Sequence, residues 1–278
     1  MNGALSCKTA AITGATGAIA TASAKLLARD GAHVALMARR QEGLEQAAAE
    51  IRAAVPDAAL TLIMADCSDE TDVKSALEQA HAVAGRLDVI FSTMGGGGFK
   101  PFMMIEPQNL RDEFEANVVS AFIAIRHGAP LMKSGGSIIL TSSTSAHMPF
   151  PYLGGYHVAK AAVEGLMRAA AEELGAAGIR VNAIRPGMTR SHGTGPMFDD
   201  SRMLEPFLAE YPLGRLGEAD DIAGAVRFLA GPESGWMTGQ SFAIDGGNEL
   251  RKNPDLTPMV EAIFGVDAVE AARAAKPL

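Results

Sequence analysis

Apolar residues along this chain follow two rhythms: short uninterrupted runs, and longer stretches in which they recur every third or fourth position. The short runs predict strands at Thr9–Thr13, His33–Ala38, Leu60–Ala65, Asp88–Ser92, Ser137–Ser142, Arg180–Ile184 and Ser241–Ile244. The longer stretches predict helices at Ala18–Arg29, Gly43–Ala54, Asp72–Ala84, Leu110–Met132, Tyr156–Gly175 and Asp220–Leu229. Strands separated by helices of this length form βαβ units on a parallel sheet, and right-handed crossovers place helices on both of its faces. The expected fold is therefore an α/β three-layer sandwich around a parallel seven-stranded sheet. No stretch between residues 5 and 247 reads as a linker, so residues 1–247 are expected to form a single domain. Residues 248–278 contain Pro254, Pro258 and a short helical stretch near Val260–Gly265, and read as an appended C-terminal tail.

Composition narrows the class. The chain has 278 residues, 48% of them hydrophobic and 20% charged, which suits a globular protein that needs no disulfide or metal to hold its core. Its two cysteines, Cys7 and Cys67, lie far apart and read as small hydrophobes in a reducing compartment. A formal net charge of −8 argues against a nucleic-acid partner and against docking on anionic lipid. No apolar run approaches the roughly 18 residues of a membrane span. Ala20-Thr21-Ala22 imitates a signal-peptide cleavage site, but Lys8 is the sole positive charge before it and glycines interrupt the apolar stretch. A cytoplasmic protein acting on a small molecule is expected.

The first predicted strand runs through Thr13-Gly14-Ala15-Thr16-Gly17-Ala18-Ile19-Ala20 into the first predicted helix. A glycine turn at this position lets backbone N–H groups approach a pyrophosphate at the helix N-terminus. Ala18 and Ala20 are compatible with such a turn only at negative φ, with any left-handed angle left to Gly14 or Gly17. At the end of the second strand, where an acid commonly binds the adenosine ribose, the chain reads Met37-Ala38-Arg39-Arg40. An acid would repel a 2′-phosphate, whereas a guanidinium binds one through paired hydrogen bonds. The expected cofactor is NADP(H), with NAD(H) the lesser alternative.

These features resemble the short-chain dehydrogenase/reductase family, in its single-domain Rossmann-type branch, over about residues 5–247. The resemblance rests on the glycine turn, Asp66 after the third strand, Asn117 within a helix, Ser143 after the fifth strand, and Tyr156-His157-Val158-Ala159-Lys160. It continues through Arg180-Val181-Asn182-Ala183, Pro186-Gly187, Pro212-Leu213-Gly214-Arg215, Thr238-Gly239-Gln240 and Asp245-Gly246-Gly247. It implies an alcohol/carbonyl oxidoreductase with a catalytic set of Asn117, Ser143, Tyr156 and Lys160. It also implies a cofactor site built from Gly14, Thr16, Gly17, Ile19, Arg39, Arg40, Asp66, Cys67, Met94, Gly95, Tyr156, Lys160, Pro186, Gly187, Thr189 and Ser191. Lys160 is further implied to bind the nicotinamide ribose, Asn117 to anchor a proton-relaying water, and the chain to assemble as a homotetramer or homodimer.

The chemistry accounts for these residue types. Tyr156 and Lys160 are four apart and share one helix face. A free phenol, with a pKa of roughly 10, is a poor base near neutrality, and an adjacent ammonium is expected to lower that pKa. Ser143 can hydrogen-bond the same substrate oxygen, although Thr141, Ser142, Thr144 and Ser145 stand beside it. Hydride transfer needs no metal. His147 and His157 are not required and read as structural.

Several positions depart from the family pattern. Ala18 and Ala20 replace glycines, a spacing closer to the family's epimerase-like branch. Ser92-Thr93-Met94-Gly95 stands where Asn-Asn-Ala-Gly is usual, and Ser191, with Thr189 as rival, occupies the place of a carboxamide-binding threonine. The short region after Lys160 and the two arginines speak against an epimerase. A catalytically weak NADP(H)-binding or sensing protein is the alternative to the enzyme. The segment after Pro186-Gly187 carries Met188, Met197, Phe198, Met203 and Phe207, and the loops opposite carry Met94, Phe99, Met148, Phe150 and Leu153. Such a lining suits an apolar ketone or alcohol. Arg185, Arg190 or His192 could hold an anionic end of the substrate.

Overall fold

The computed structural model describes residues 3–191, 194–195 and 201–276, the side chains of 201–203 excepted. His192, Met197, Phe198 and the side chain of Met203 thus lie outside the described residues. The strands are β1 (Thr9–Thr13), β2 (His33–Ala38), β3 (Leu60–Met64), β4 (Leu87–Ser92), β5 (Met132–Thr141), β6 (Arg180–Pro186) and β7 (Ser241–Ile244). They form one seven-stranded sheet in the order β3-β2-β1-β4-β5-β6-β7, parallel throughout, the Rossmann-type arrangement expected. The order reverses between β1 and β4, and the crevice beyond the carboxyl ends of those strands is where ligands bind such sheets.

Alternation along the strands builds two cores. Val89 and Phe91 face one side of β4 while Ile90 faces the other, and Ile139 opposes Ile138 and Leu140 on β5. One face is covered by α1 (Ala18–Arg29), α2 (Gln41–Ala54) and α8 (Ala219–Ala230), which bury Leu27, Leu44, Ile51, Ile222 and Leu229. The other is covered by α3 (Glu70–Ala82), α5 (Ser120–Gly128) and α6 (Gly154–Leu174), which bury Leu77, Ile125, Val163 and Met167. Phe91 and Leu36 are fully buried, so truncating either to alanine costs about 2–5 kcal/mol.

The stretch Leu110–Met132, predicted as one helix, is broken. It comprises α4 (Pro107–Phe114), a π turn over Glu115–Val119, α5, and a 3-10 turn over Ala129–Leu131. A π turn inserts one residue into the helix without disturbing the apolar spacing enough to be read, and Asn117 sits inside it. Helix α3 starts two residues before the prediction because Asp69 caps it, its carboxylate accepting the Asp72 N–H at 2.9 Å. Strand β5 starts earlier, at Met132, through a register shift opposite Leu87 and Val89.

A third apolar cluster lies beyond the carboxyl ends of the strands. Phe207, on α7 (Ser201–Leu208), joins Tyr211, Leu216 and Leu256, with Phe99, Phe150, Tyr152, Met188 and Met259 packed against them. Leu256 and Met259 come from the C-terminal stretch, which folds into two helices, α9 (Thr257–Phe264) and α10 (Val266–Arg273), rather than the one short helix expected.

Candidate active site

The turn after β1 is shaped by one left-handed residue. Gly14 has φ +64°, while Gly17 caps α1 in an extended conformation at φ −74°. Ala18 opens the helix, and neither it nor Ala20 has positive φ, so both alanines fit as the sequence required. No side chain caps the first turn of α1, which leaves its N–H groups directed at the crevice. Thr93 fastens the turn: its hydroxyl donates to the Thr13 carbonyl at 2.5 Å, and a Cβ on Gly14 would lie 2.7 Å from that hydroxyl. This contact gives a physical reason for the Ser92-Thr93 departure.

Gly14, Thr16, Arg39, Arg40, Cys67 and Met94 line one cavity of about 150 Å³. Arg39 and Arg40 are exposed, with their guanidinium groups free to meet an anion. Asp66 is held below the usual carboxylate range by hydrogen bonds from the Ser68 hydroxyl and N–H, with the Arg39 charge adding to the effect. Burial pushes the Cys67 thiol up. Ile19 is set apart from this cavity and packs partly against the core. Pro186 ends β6, and the N–H of Gly187, the next residue, donates to the Ile244 carbonyl at 3.0 Å. Thr189 is buried and donates to the Gly187 carbonyl, whereas Ser191 bonds Thr194; both hydroxyls already have partners. The turn, the cavity and the arginine pair suit a phosphorylated dinucleotide.

Among the hydroxyls after β5, Ser143 is the one placed to act on the Tyr156 phenol, where it opposes the upward shift that burial causes. Its oxygen also accepts the Ser145 N–H at 3.1 Å. Thr141 donates to the Ser92 carbonyl and Ser142 to Glu164, so their hydroxyls are spoken for. Lys160, one helical turn beyond Tyr156, is 2% exposed. Its Nζ donates to the Thr141 carbonyl at 2.8 Å and stands 5.5 Å from the centre of the Tyr156 ring. Asn117 Oδ1 accepts the Gly96 N–H at 3.1 Å, and its Nδ2 donates to the Gly96 and Glu113 carbonyls at 2.9 and 2.8 Å. The side chain of Asn117 therefore clamps the glycine loop after β4.

That loop needs its glycines. Gly95 has φ +122°, and a Cβ there would overlap Asn117 Oδ1 and lie 3.2 Å from Lys160 Nζ. A Cβ on Gly97 would meet the Tyr156 ring.

One expectation is corrected. The neighbouring ammonium was expected to pull the Tyr156 phenol down, but burial pushes it up, opposed by the Ser143 hydroxyl and reinforced by the Glu113 charge. Burial likewise lowers Lys160, to about 7. Both charged forms lose water here, and that loss sets the direction of each shift.

Sequence reading missed two acids. Glu113, one turn before Asn117, accepts the Gly98 N–H at 3.2 Å, while its buried Oε2 has no hydrogen-bond partner. Burial raises its carboxyl. Glu164, one turn after Lys160, is 2% exposed and receives Ser142, Ser241 and His147 at 3.0, 2.8 and 2.8 Å. The i, i+4 spacing of Tyr156, Lys160 and Glu164 was the available signal. His147 and His157 make structural contacts, His157 to the Ser145 carbonyl at 2.5 Å. Arg185 cannot serve a substrate anion, since Glu249 holds it through two bonds of 2.8 and 3.1 Å. Arg190 pairs with Glu218 at 3.4 Å.

Comparison with known proteins adds independent findings. A family model described as enoyl-(acyl carrier protein) reductase matches residues 14–249. A 3alpha-hydroxysteroid dehydrogenase of Mediterraneibacter gnavus is 33% identical over 241 residues, 86% of this chain and 96% of that protein. An A-factor type gamma-butyrolactone 1′-reductase of Streptomyces virginiae is 36% identical over 250 residues, 88% and 96% of the two chains. The solved structure of a short-chain type dehydrogenase/reductase from Mycobacterium ulcerans superposes with TM-score 0.90 at 31% identity, covering 96% of this chain and 98% of that one.

Proposed function

The chain belongs to the short-chain dehydrogenase/reductase family, whose members are NAD(P)(H)-dependent oxidoreductases, and from that premise we propose that it interconverts an apolar ketone and its alcohol with NADP(H). The observation that carries the reading is Lys160, buried one turn beyond Tyr156 with its Nζ 5.5 Å from the centre of the phenol ring, and Ser143 acting on the same phenol. A phenol that burial keeps protonated is an acid able to give its proton to a carbonyl oxygen as charge develops there. Ser143 donates to that same oxygen and fixes its position. Lys160, near neutrality in its acidity, returns the proton to Tyr156. Gly14, Thr16, Gly17, Cys67, Met94 and Gly95 would cradle the dinucleotide, with Arg39 and Arg40 at its 2′-phosphate. Pro186, Gly187 and Thr189 or Ser191 would lie along the nicotinamide. The bound nicotinamide supplies or takes up the hydride.

The apolar cluster around Phe99, Phe150 and Met188 supports a hydrophobic substrate, and with Arg185 engaged the case for an anionic end weakens. The hydroxysteroid dehydrogenase and butyrolactone reductase relatives point the same way. In this reading residues 1–247 form the catalytic domain and 248–278 its extension. The protein works in the cytoplasm as a homodimer or homotetramer; among the described residues no helix is long and apolar enough to cross a membrane.

The test is NADPH absorbance followed across aliphatic, aromatic, steroid, acyl-thioester and sugar carbonyls, with Tyr156→Phe as control. Apolar ketones should give the highest kcat/KM, and the variant should lose at least ~10²-fold in turnover while still binding NADPH. Near-normal activity of that variant would refute the mechanism. Preference for unmodified sugars would refute the substrate class.

A further inference from the structure

The C-terminal extension lies beyond the family-matched segment, yet its contacts converge on the loops that flank the catalytic residues. Asn253 Nδ2 donates to the Met148 and Pro149 carbonyls at 3.4 and 3.1 Å. The Thr257 hydroxyl shares a 2.8 Å hydrogen bond with the Tyr152 phenol. Both contacts fall on the loop that separates Ser143 from Tyr156. Helix α10 packs against Phe102–Met104, the continuation of the glycine loop that touches the Tyr156 ring. Leu256, 5% exposed, joins Phe207 and Tyr211 from the segment after Pro186-Gly187. One strap thus touches all three walls, adding to the ties they already share through Lys100 and Tyr152 and through the Phe150–Phe207 stack.

Tyr152 marks the place where this tie matters most. Its φ is +70°, a region that suits glycine and that a tyrosine keeps only when its surroundings impose it. Both ends are held: its carbonyl accepts the Lys100 N–H at 2.7 Å, and its phenol meets Thr257. Such backbone strain concentrates at ligand clamps. The loop that Tyr152 closes runs directly into α6, which carries Tyr156, and Phe150 and Tyr152 share one aromatic cluster with Phe207.

We propose that residues 253–273 are the specificity wall of this enzyme, with Tyr152 held by Thr257 as its size-determining residue. The inference rests on the apolar carbonyl reading above. A pocket that rejects substrates by shape needs a wall that does not yield, and one methylene against a firm wall discriminates by roughly tenfold or more. Loosening the strap should let longer substrates in without harming chemistry on short ones.

The experiment uses full-length Thr257→Val and Leu256→Ala with NADPH and three aryl ketones: acetophenone, butyrophenone and hexanophenone. The ratio of kcat/KM between the shortest and longest ketone should change by roughly tenfold, with kcat on acetophenone nearly unaltered. Amide hydrogen exchange at residues 148–153 should accelerate in the same variants. A uniform loss across the series, or an unchanged ratio, overturns the proposal. If wild-type protein prefers polyols to all three ketones, the apolar reading fails; the ratio is then read on polyols of different length, and its constancy overturns the wall as well. If nothing is turned over, the oxidoreductase reading fails, and exchange decides: faster exchange in Thr257→Val sustains the strap, and unchanged exchange rejects it.

Discussion

Gly97 lies directly against Tyr156, so that a methyl group on its Cα would stand 2.5 Å from Tyr156 Cβ and 2.6 Å from Cδ2. Neither atom is the far end of a flexible side chain, and Tyr156 is fixed at the start of α6. Gly97→Ala should therefore displace the phenol, and misplacement of about 1 Å can cost ~10²-fold in turnover. NADPH affinity should fall much less, because Gly97 is not among the residues that line the cavity beside Arg39. Steady-state kinetics paired with a fluorescence titration of NADPH would check it; Gly98→Ala, where a Cβ meets nothing within 4 Å, is the control.

Lys160 should trade stability for activity. Its buried ammonium is penalised, so its folded pKa lies near 7, below the unfolded value. The unfolded chain binds that proton more tightly, and the penalty is complete at and below about pH 7, fading as pH rises toward the unfolded value. Lys160→Met should raise stability by on the order of 1 kcal/mol at pH 7, as when buried charges give way to apolar side chains, less whatever the unmet Thr141 carbonyl costs. The gain should shrink as pH increases, while activity drops by at least ~10²-fold. Thermal unfolding between pH 6 and 9, alongside kinetics, would decide.

The fold was legible because buried parallel strands are continuous apolar runs, and β1, β2 and β7 lie where those runs ended. Ser143, Tyr156 and Lys160 stood out for a different reason: the chemistry proposed for them needs fixed spacings on one helix and at one strand end. Other features left no such trace. The π turn at Asn117 preserves the apolar rhythm on both sides, so one long helix was the natural reading. Glu113 resembles any exposed helix acid until the glycine loop folds over it. Burial reversed the expected effect on the Tyr156 phenol, since charge proximity can be read from i, i+4 spacing but desolvation cannot. The tail, with Pro254 and Pro258 closely flanking Thr257, gave no hint that this residue would reach Tyr152.

Cofactor choice should follow Arg39. No carboxylate lies at the end of β2 to bind a ribose hydroxyl, and Arg39 and Arg40 are exposed beside the cavity. NADPH should be preferred, and Arg39→Asp should reverse or abolish the preference through repulsion of the 2′-phosphate. The comparison is kcat/KM for NADPH against NADH in both proteins; equal values in the unmodified chain would reject the assignment.

Assembly should use the helices around Asn117 and Tyr156. Leu110, Phe114, Phe122 and Val158 are 40–46% exposed on α4, α5 and α6, an apolar surface that a second copy would cover. Phe122→Asp should lower the sedimentation coefficient to that of a monomer at micromolar concentration. A monomeric unmodified protein under those conditions would remove the claim.

The last prediction concerns Glu113 and the pH profile. Its unpartnered Oε2 is buried and would lie 2.7 Å from a Cβ on Gly155, the residue before Tyr156. When ionised, it raises the Tyr156 phenol, adding to burial. Lys160, on the same helix as Tyr156, and Lys100, whose Nζ bonds Asn109 at 2.7 Å, are the cations nearby. Oxidation of an alcohol needs the phenolate, so its rate should climb with pH to a raised limb; reduction needs the phenol and should hold through neutrality, then fall. Glu113→Gln removes the negative charge, and both limbs should move to lower pH. Stability gives the matching sign. A carboxyl with a raised folded pKa binds its proton more tightly when folded, so it costs stability as pH climbs through that value. The glutamine variant should therefore gain on the wild type at pH 8 and lose that advantage near pH 4, as denaturant unfolding at both values would measure. Limbs that stay in place while stability shifts would confine Glu113 to the loop it supports through Gly98.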